Sequence, residues 1–214
     1  MKITFVTDSG FFSHKKEILI GLNKKIDLQL IIFFTTGFKN NSANDILSFC
    51  KKNNIKNEVV LKGRFRAKDP RRIIYDYNSI IKKIKSYSPD VIYVESFGSP
   101  YLSLLYALFF KRKSFVIGIH DFKHHQLTKQ KISISARVYQ KLATLLFFNF
   151  HFFSFSQKKL FEKKYPMKKS YVIRLFLVEA SDSIVVKRDV KNKINFLFFG
   201  RIFYYKGVDL LIKA

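Results

Sequence analysis

"PDVIYVESFGSPYLSLLYALFFKRKSFVIGIHD", residues Pro89 to Asp121, sets the fold class. "PDVIYVES" (Pro89–Ser96) reads as a strand that runs into a Ser/Gly/Pro loop. "YLSLLYALFF" (Tyr101–Phe110) is an almost wholly apolar helix, so it is buried. "KSFVIGIHD" (Lys113–Asp121) is a second strand, ending in His120-Asp121. Strands that are apolar on both faces, joined by a buried helix, are the unit of a parallel sheet covered by helices.

The same alternation runs outward in both directions. "KITFVT" (Lys2–Thr7), "DLQLIIFF" (Asp27–Phe34) and "EVVLKG" (Glu58–Gly63) read as strands. Between them, "SHKKEILIGLNKK" (Ser13–Lys25) has a serine N-cap and helical spacing at Ile18, Leu19 and Leu22. "SANDILSFCKKNN" (Ser42–Asn54) is a second capped helix. Pro70 opens "PRRIIYDYNSIIKKIKSY", because a first-turn proline has no intrahelical donor to lose. A long helix is expected over Ser133–Phe147, then "FHFFSFS" as a strand, "QKKLFEKKY" as a helix and "SYVIRLF" as a strand. The expected architecture is a doubly wound α/β domain with a parallel sheet over residues 1–176. Residues 177–193, "LVEASDSIVVKRDVKNK", are polar and irregular and read as an interdomain linker. Residues 194–214 then supply one strand, "INFLFFG", and one helix, "KGVDLLIKA", too little for a domain by themselves.

The 214 residues include 40 Lys and Arg against 15 Asp and Glu, a formal net charge of +25. Such a surface attracts nucleic acid, anionic lipid or phosphorylated substrates. The lysines are spread along the whole chain, so lysine as the default polar residue explains the charge equally well. At 48% apolar and 26% charged the chain is globular rather than disordered. The single cysteine, Cys50, excludes an internal disulfide and reads as a small core residue. "MKITFVTD" reaches Asp8 too soon for a secretory signal, and Leu142–Gln157 falls short of the roughly 20 apolar residues of a membrane span. A cytoplasmic location is expected.

Ligands of doubly wound sheets bind beyond the carboxyl ends of the strands. The candidates are therefore Thr7, Asp8, Ser9 and Gly10; Glu95, Ser96, Gly98 and Ser99; His120, Asp121, His124 and His125; and Gly200, Arg201 and Lys206. No G-x-G-x-x-G, Walker A loop, G-x-S-x-G elbow or cysteine pair occurs. His120 and His124 have a metal-like spacing for a helix, but they follow a strand and lack a ligand-rich partner motif, so no metal is expected. Arg201 and Lys206 flank a turn between a strand and a helix. The free N–H groups of a helix N-terminus, with a guanidinium and an ammonium, suit a diphosphate. Two surface cations are the plain alternative in a chain with 40 of them.

"FLFFGRIFYYKGVDLLIKA" (Phe196–Ala214) resembles the opening of the donor domain in family 4 retaining glycosyltransferases of the GT-B fold. Gly200, Arg201, Lys206, Gly207, Asp209, Leu210 and Ala214 match that pattern. "PDVIYVES", "FVIGIHD" and "FHFFSFSQKKLFEKKY" look like the family's successive strand segments. The resemblance implies two Rossmann-like domains facing a cleft: residues 1–176 on the acceptor side, and residues 194–214 as the first β-α unit of the donor side. It implies that Arg201 and Lys206, with Gly200 and Gly207, hold the diphosphate of a nucleotide sugar, and that His120 approaches the transferred sugar. Fixed cations would stabilise the leaving group without a metal or other cofactor. Gly10, Glu95, Ser96 and Asp121 are further cleft candidates.

The chain also departs from the family. Only Gly10 stands where a Gly-Gly loop is usual, Glu95 replaces a strand-end histidine, and "VIRLFLVEA" replaces the usual segment before the linker. The family's E-x7-E pair does not occur, so the resemblance implies a chain truncated after the start of the donor domain and inactive alone. The function implied is sugar transfer from a nucleotide-diphosphate sugar to a glycan or lipid-linked acceptor in cell-surface polysaccharide synthesis. Basic, aromatic-rich helices are compatible with peripheral contact at an anionic membrane. Two other classes are a basic α/β nucleic-acid-binding module, disfavoured because no reader motif is present, and a non-functional gene remnant.

Overall fold

The computed structural model describes residues 1–9, 12, 15–33, 43–60, 70–95, 100–122, 134–173 and 208–213. Seven strands form one sheet: β1 (Lys2–Asp8), β2 (Asp27–Phe33), β3 (Lys56–Val60), β4 (Val91–Val94), β5 (Phe115–Ile119), β6 (Asn149–Phe152) and β7 (Lys169–Val172). All neighbours are parallel, in the order β3-β2-β1-β4-β5-β6-β7. The connecting helices are α1 (Lys16–Asn23), α2 (Ala43–Lys52), α3 (Pro70–Tyr87), α4 (Pro100–Phe109), α5 (Ile134–Leu146) and α6 (Phe155–Lys164). The chain winds outward from β1 to β3, crosses back to β4, and winds outward again to β7. Right-handed crossovers then place the helices of the two halves on opposite faces. This is the doubly wound, Rossmann-like sheet expected from the sequence.

Strand alternation builds one core on each face. Phe5, Leu28, Leu30 and Ile32 meet Leu19 of α1 and Ile46 and Cys50 of α2. On the other face, Val6, Ile31, Ile92, Ile117 and Phe150 meet Ile80 of α3, Tyr106 of α4, Ala143 of α5 and Phe161 of α6. Phe161 is the hub of an aromatic group, with ring centroids 4.7 Å from Phe150, 4.9 Å from Phe152, 5.2 Å from Phe122 and 5.2 Å from Tyr165. Cys50 is the core residue expected of it, and burial raises its thiol to a pKa of about 11.

Several boundaries differ from the sequence reading for identifiable reasons. "FHFFSFS" is strand only as far as Phe152: Ser154 Oγ accepts the Gln157 N–H at 3.3 Å, so Phe155 and Ser156 already belong to α6. At the end of α2, Ile55 N–H bonds Cys50 O at 2.9 Å and Asn54 N–H bonds Lys51 O at 3.3 Å. Asn54 sits at φ 53°, the left-handed position usually given to glycine. That motif releases the chain early, and β3 begins at Lys56, ahead of the expected Glu58. Lys15, and not the expected Ser13, stands at the N-cap of α1, without a side-chain capping bond; Ser13 lies outside the described residues. The expected linker and the strand "INFLFFG" also lie outside them; of residues 194–214, helix α7 (Val208–Lys213) is described.

Candidate functional site

The winding reverses between β1 and β4, and the carboxyl edge there is where open α/β sheets form their ligand crevice. Three groups of this edge meet. Thr7 lies at the end of β1. Glu95 follows β4, where its N–H bonds Val6 O of β1 at 3.0 Å. His120 follows β5. Strand alternation turns all three side chains to the face covered by α1.

Lys15, at the head of α1, is only 2% exposed. Its ammonium lies 3.0 Å from Glu95 Oε2 and donates to Thr7 Oγ1. His120 Nε2–H donates to Glu95 Oε1 at 2.8 Å. The Glu95 side chain is 3% exposed and that of His120 37%, so a cation, a carboxylate and an imidazole line up from the interior toward the surface. Burial is the strongest single influence on Glu95 and pushes its pKa up. The hydrogen bond from His120 and the charge and hydrogen bond of Lys15 together outweigh it, and the carboxyl titrates below its ordinary 4.5. An ionised carboxylate can only accept, so the proton between Glu95 and His120 belongs to Nε2.

A second polar chain adjoins the first. His120 stacks on Phe153, with centroids 4.2 Å apart and planes 19° from parallel, and Phe153 meets His151 at 4.5 Å. His151 Nε2–H donates to Ile173 O at 3.0 Å, and the Tyr93 hydroxyl donates to His151 Nδ1 at 2.7 Å. Burial, above all, lowers the His151 pKa and favours the neutral ring this pattern needs. Burial, and then the charge of Glu95, raises the Tyr93 pKa well above its ordinary value and keeps its proton in place. Tyr93 reaches from β4 to β6 across β5 because residue 118 is glycine. A Cβ there would lie 2.7 Å from the Tyr93 hydroxyl oxygen and 3.3 Å from Glu95 Cγ.

The segment carrying His120 is anchored two residues on. Phe122 N–H donates to Gln157 Oε1 of α6 at 3.0 Å, and Phe122 O accepts from Gln140 Nε2 of α5 at 2.9 Å. Its ring meets Phe161 edge-on, at 5.2 Å and 83°.

Of the residues singled out from sequence, the structure brings Glu95 and His120 into direct contact. Thr7 joins them through Lys15. Asp121, next to His120, is exposed. Gly10, Ser96, Gly98, Ser99, His124, His125, Gly200, Arg201, Lys206 and Gly207 lie outside the described residues. Lys15, Tyr93, Gly118, His151 and Phe153 escaped the sequence reading. For Tyr93, Gly118 and His151 a signal existed, since each interrupts an otherwise aliphatic or phenylalanine-rich strand. Among the described residues no group of three or more His, Cys, Asp or Glu could hold a metal ion, and no helix is long and apolar enough to cross a membrane.

No protein-family model and no curated protein matches the sequence. Solved structures do share its fold. UDP-GlcNAc 2-epimerase from Neisseria meningitidis, bound to UDP-GlcNAc, is similar with a TM-score of 0.54 at 15% identity, over 80% of this chain and 46% of that one. A glycosyltransferase from Rickettsia africae is similar with a TM-score of 0.54 at 19% identity, over 81% of this chain and 42% of that one. The shared architecture is GT-B-like, and the chain spans less than half the length of either protein.

The ion pairs of Glu95 have a pH signature. Its folded-state pKa lies below the ordinary 4.5, so its contribution to stability is complete above that value and is lost as pH falls through the folded-state value. Urea midpoints measured from neutral pH down to below 4.5 should fall less steeply for Glu95→Gln than for the wild type. Parallel pH profiles would show that Glu95 is not held ionised.

Proposed function

We propose that this chain acts in sugar transfer, using a nucleotide-diphosphate sugar and a glycan or lipid-linked acceptor, with residues 1–176 on the acceptor side. The observation that carries the reading is the Glu95–His120 pair at the carboxyl edge of the sheet, beside the reversal between β1 and β4. An imidazole held by a buried carboxylate, yet 37% open, suits a hydrogen bond to a sugar hydroxyl or acceptance of its proton. The GT-B-like fold supplies the framework. Arg201 and Lys206, with Gly200 and Gly207, would hold the donor diphosphate by the motif they match, and their fixed charges would stabilise the leaving group without a metal. Gly10, Ser96 and Asp121 would border the acceptor.

The test is titration of the protein with UDP-GlcNAc and with other nucleotide sugars, followed by saturation-transfer NMR. Binding is expected, weakened about tenfold in Arg201→Ala, the equivalent of about 1.4 kcal/mol for a lost charge-assisted contact. Failure of every nucleotide sugar to bind would sink the reading. Conversion of the bound sugar to its C2 epimer would replace transfer by epimerisation.

The outer faces of α4 and α5 support a lipid-linked acceptor. Helix α4, expected to be buried because of its apolar composition, is open on one side: its Leu104 and Leu108 are 39% and 74% exposed, and Ile134, Val138 and Leu145 on α5 are 74%, 43% and 72% exposed. Exposed Lys111, Arg112, Lys113, Arg137 and Lys141 accompany them, and residues 100–114 and 134–146 contain no acidic residue. An apolar face with a basic border fits an anionic bilayer. Cosedimentation with vesicles should be strong with anionic lipid, weak with zwitterionic lipid alone, and lost in a Leu108→Glu, Leu145→Glu double variant. Binding that ignores lipid charge and both substitutions would contradict this placement.

A further inference from the structure

Lysine is the commonplace surface residue of this chain, yet Lys15 is 2% exposed. Burying an ammonium carries a large desolvation cost that a matched carboxylate largely offsets, with little net gain over an apolar pair of the same volume. Stability alone therefore gives a poor account of this pair. Lys15 does not cap its helix either, because its side chain makes no capping bond. Its ammonium instead spans the point where the winding reverses, from Thr7 of β1 to Glu95 at the end of β4.

The geometry points to Lys15 as a positioning residue for His120, acting through Glu95: it holds the carboxylate ionised and aimed, so that Oε1 fixes the tautomer and the plane of the imidazole. The division of the carboxylate carries the inference. Oε2 takes the ammonium at 3.0 Å and Oε1 takes the imidazole N–H at 2.8 Å, so neither oxygen is left to swing. Without Lys15, burial would be opposed by His120 alone, and a proton taken up by the carboxyl would occupy one of the two oxygens that now accept. Among the described residues, the charged and titratable groups facing Glu95 include Lys15 from α1, Tyr93 from its own strand and His120 from the segment after β5. Among the described residues, those facing His120 include Glu95 and, from β6, His151, with Asp121 next to it in sequence. The functional meaning of the inference rests on the reading of His120 as the residue that meets the sugar.

The test follows the Glu95 carboxyl carbon by NMR during pH titration of the wild type, Lys15→Met, Lys15→Arg and Thr7→Val. The Glu95 midpoint should lie below 4.5 in the wild type and rise in Lys15→Met. Lys15→Arg, which keeps the charge, should return it toward the wild-type value. Thr7→Val removes only the hydroxyl that seats the ammonium; it should shift the midpoint in the same direction by less, and it serves in place of Lys15→Met if that variant does not fold. An unchanged midpoint in Lys15→Met, or in Thr7→Val where only that variant folds, overturns the role of Lys15. The titration needs no substrate. A shifted midpoint in a protein that binds no nucleotide sugar upholds the coupling and removes only the sugar reading. An unchanged midpoint in a protein that binds one removes only the coupling.

Discussion

A carboxylate only 3% exposed does not stay charged without partners, and Glu95 stays charged because Lys15 and His120 each hold one of its oxygens. The rest of the site is arranged around that condition. The ammonium comes from the N-cap of α1, the carboxylate from just after β4 and the imidazole from just after β5. Three elements far apart in sequence are thereby tied at the edge where β1 and β4 part. The tie also gives the site a direction, from a buried cation through a buried anion to a partly open ring.

The sheet makes this arrangement possible in a simple way. Alternation along parallel strands sends Thr7, Tyr93 and Glu95, Gly118 and His120, and His151 to the same face. Gly118 leaves the gap through which Tyr93 crosses to His151. Gln140 and Gln157 satisfy both backbone groups of Phe122, which stops the chain just beyond His120 from drifting. The aromatic hub at Phe161 lies beneath that anchor and links it to β6. A charged line at the surface edge thus depends on packing that begins on the opposite face of the sheet.

The fold was legible because buried parallel strands are apolar throughout, and runs such as "KITFVT" and "DLQLIIFF" have few other uses. Its boundaries were less legible where local hydrogen bonds override composition. Ser154 turned the second half of "FHFFSFS" into helix, and the Schellman turn at Asn54 brought β3 forward. Glu95 and His120 could be named because the edge rule needs only strand ends. Lys15 could not. It stands beside Lys16, which is partly exposed and lies over the Phe49 ring at 5.7 Å, and nothing in the sequence separates the two. Only the rotation of α1 against the sheet decides which lysine faces the core. The pairing of Tyr93 with His151 was hidden for a similar reason, since it spans 58 positions and passes over a third strand.

The most direct measurement of the account is the tautomer of the neutral His120 ring, read from its two-bond nitrogen–proton couplings by NMR. A proton on Nε2 is predicted, because an ionised Glu95 can only accept at that atom. A proton on Nδ1, leaving Nε2 to face Glu95 with a lone pair, would require a protonated carboxyl and would contradict the charge line from Lys15 to His120.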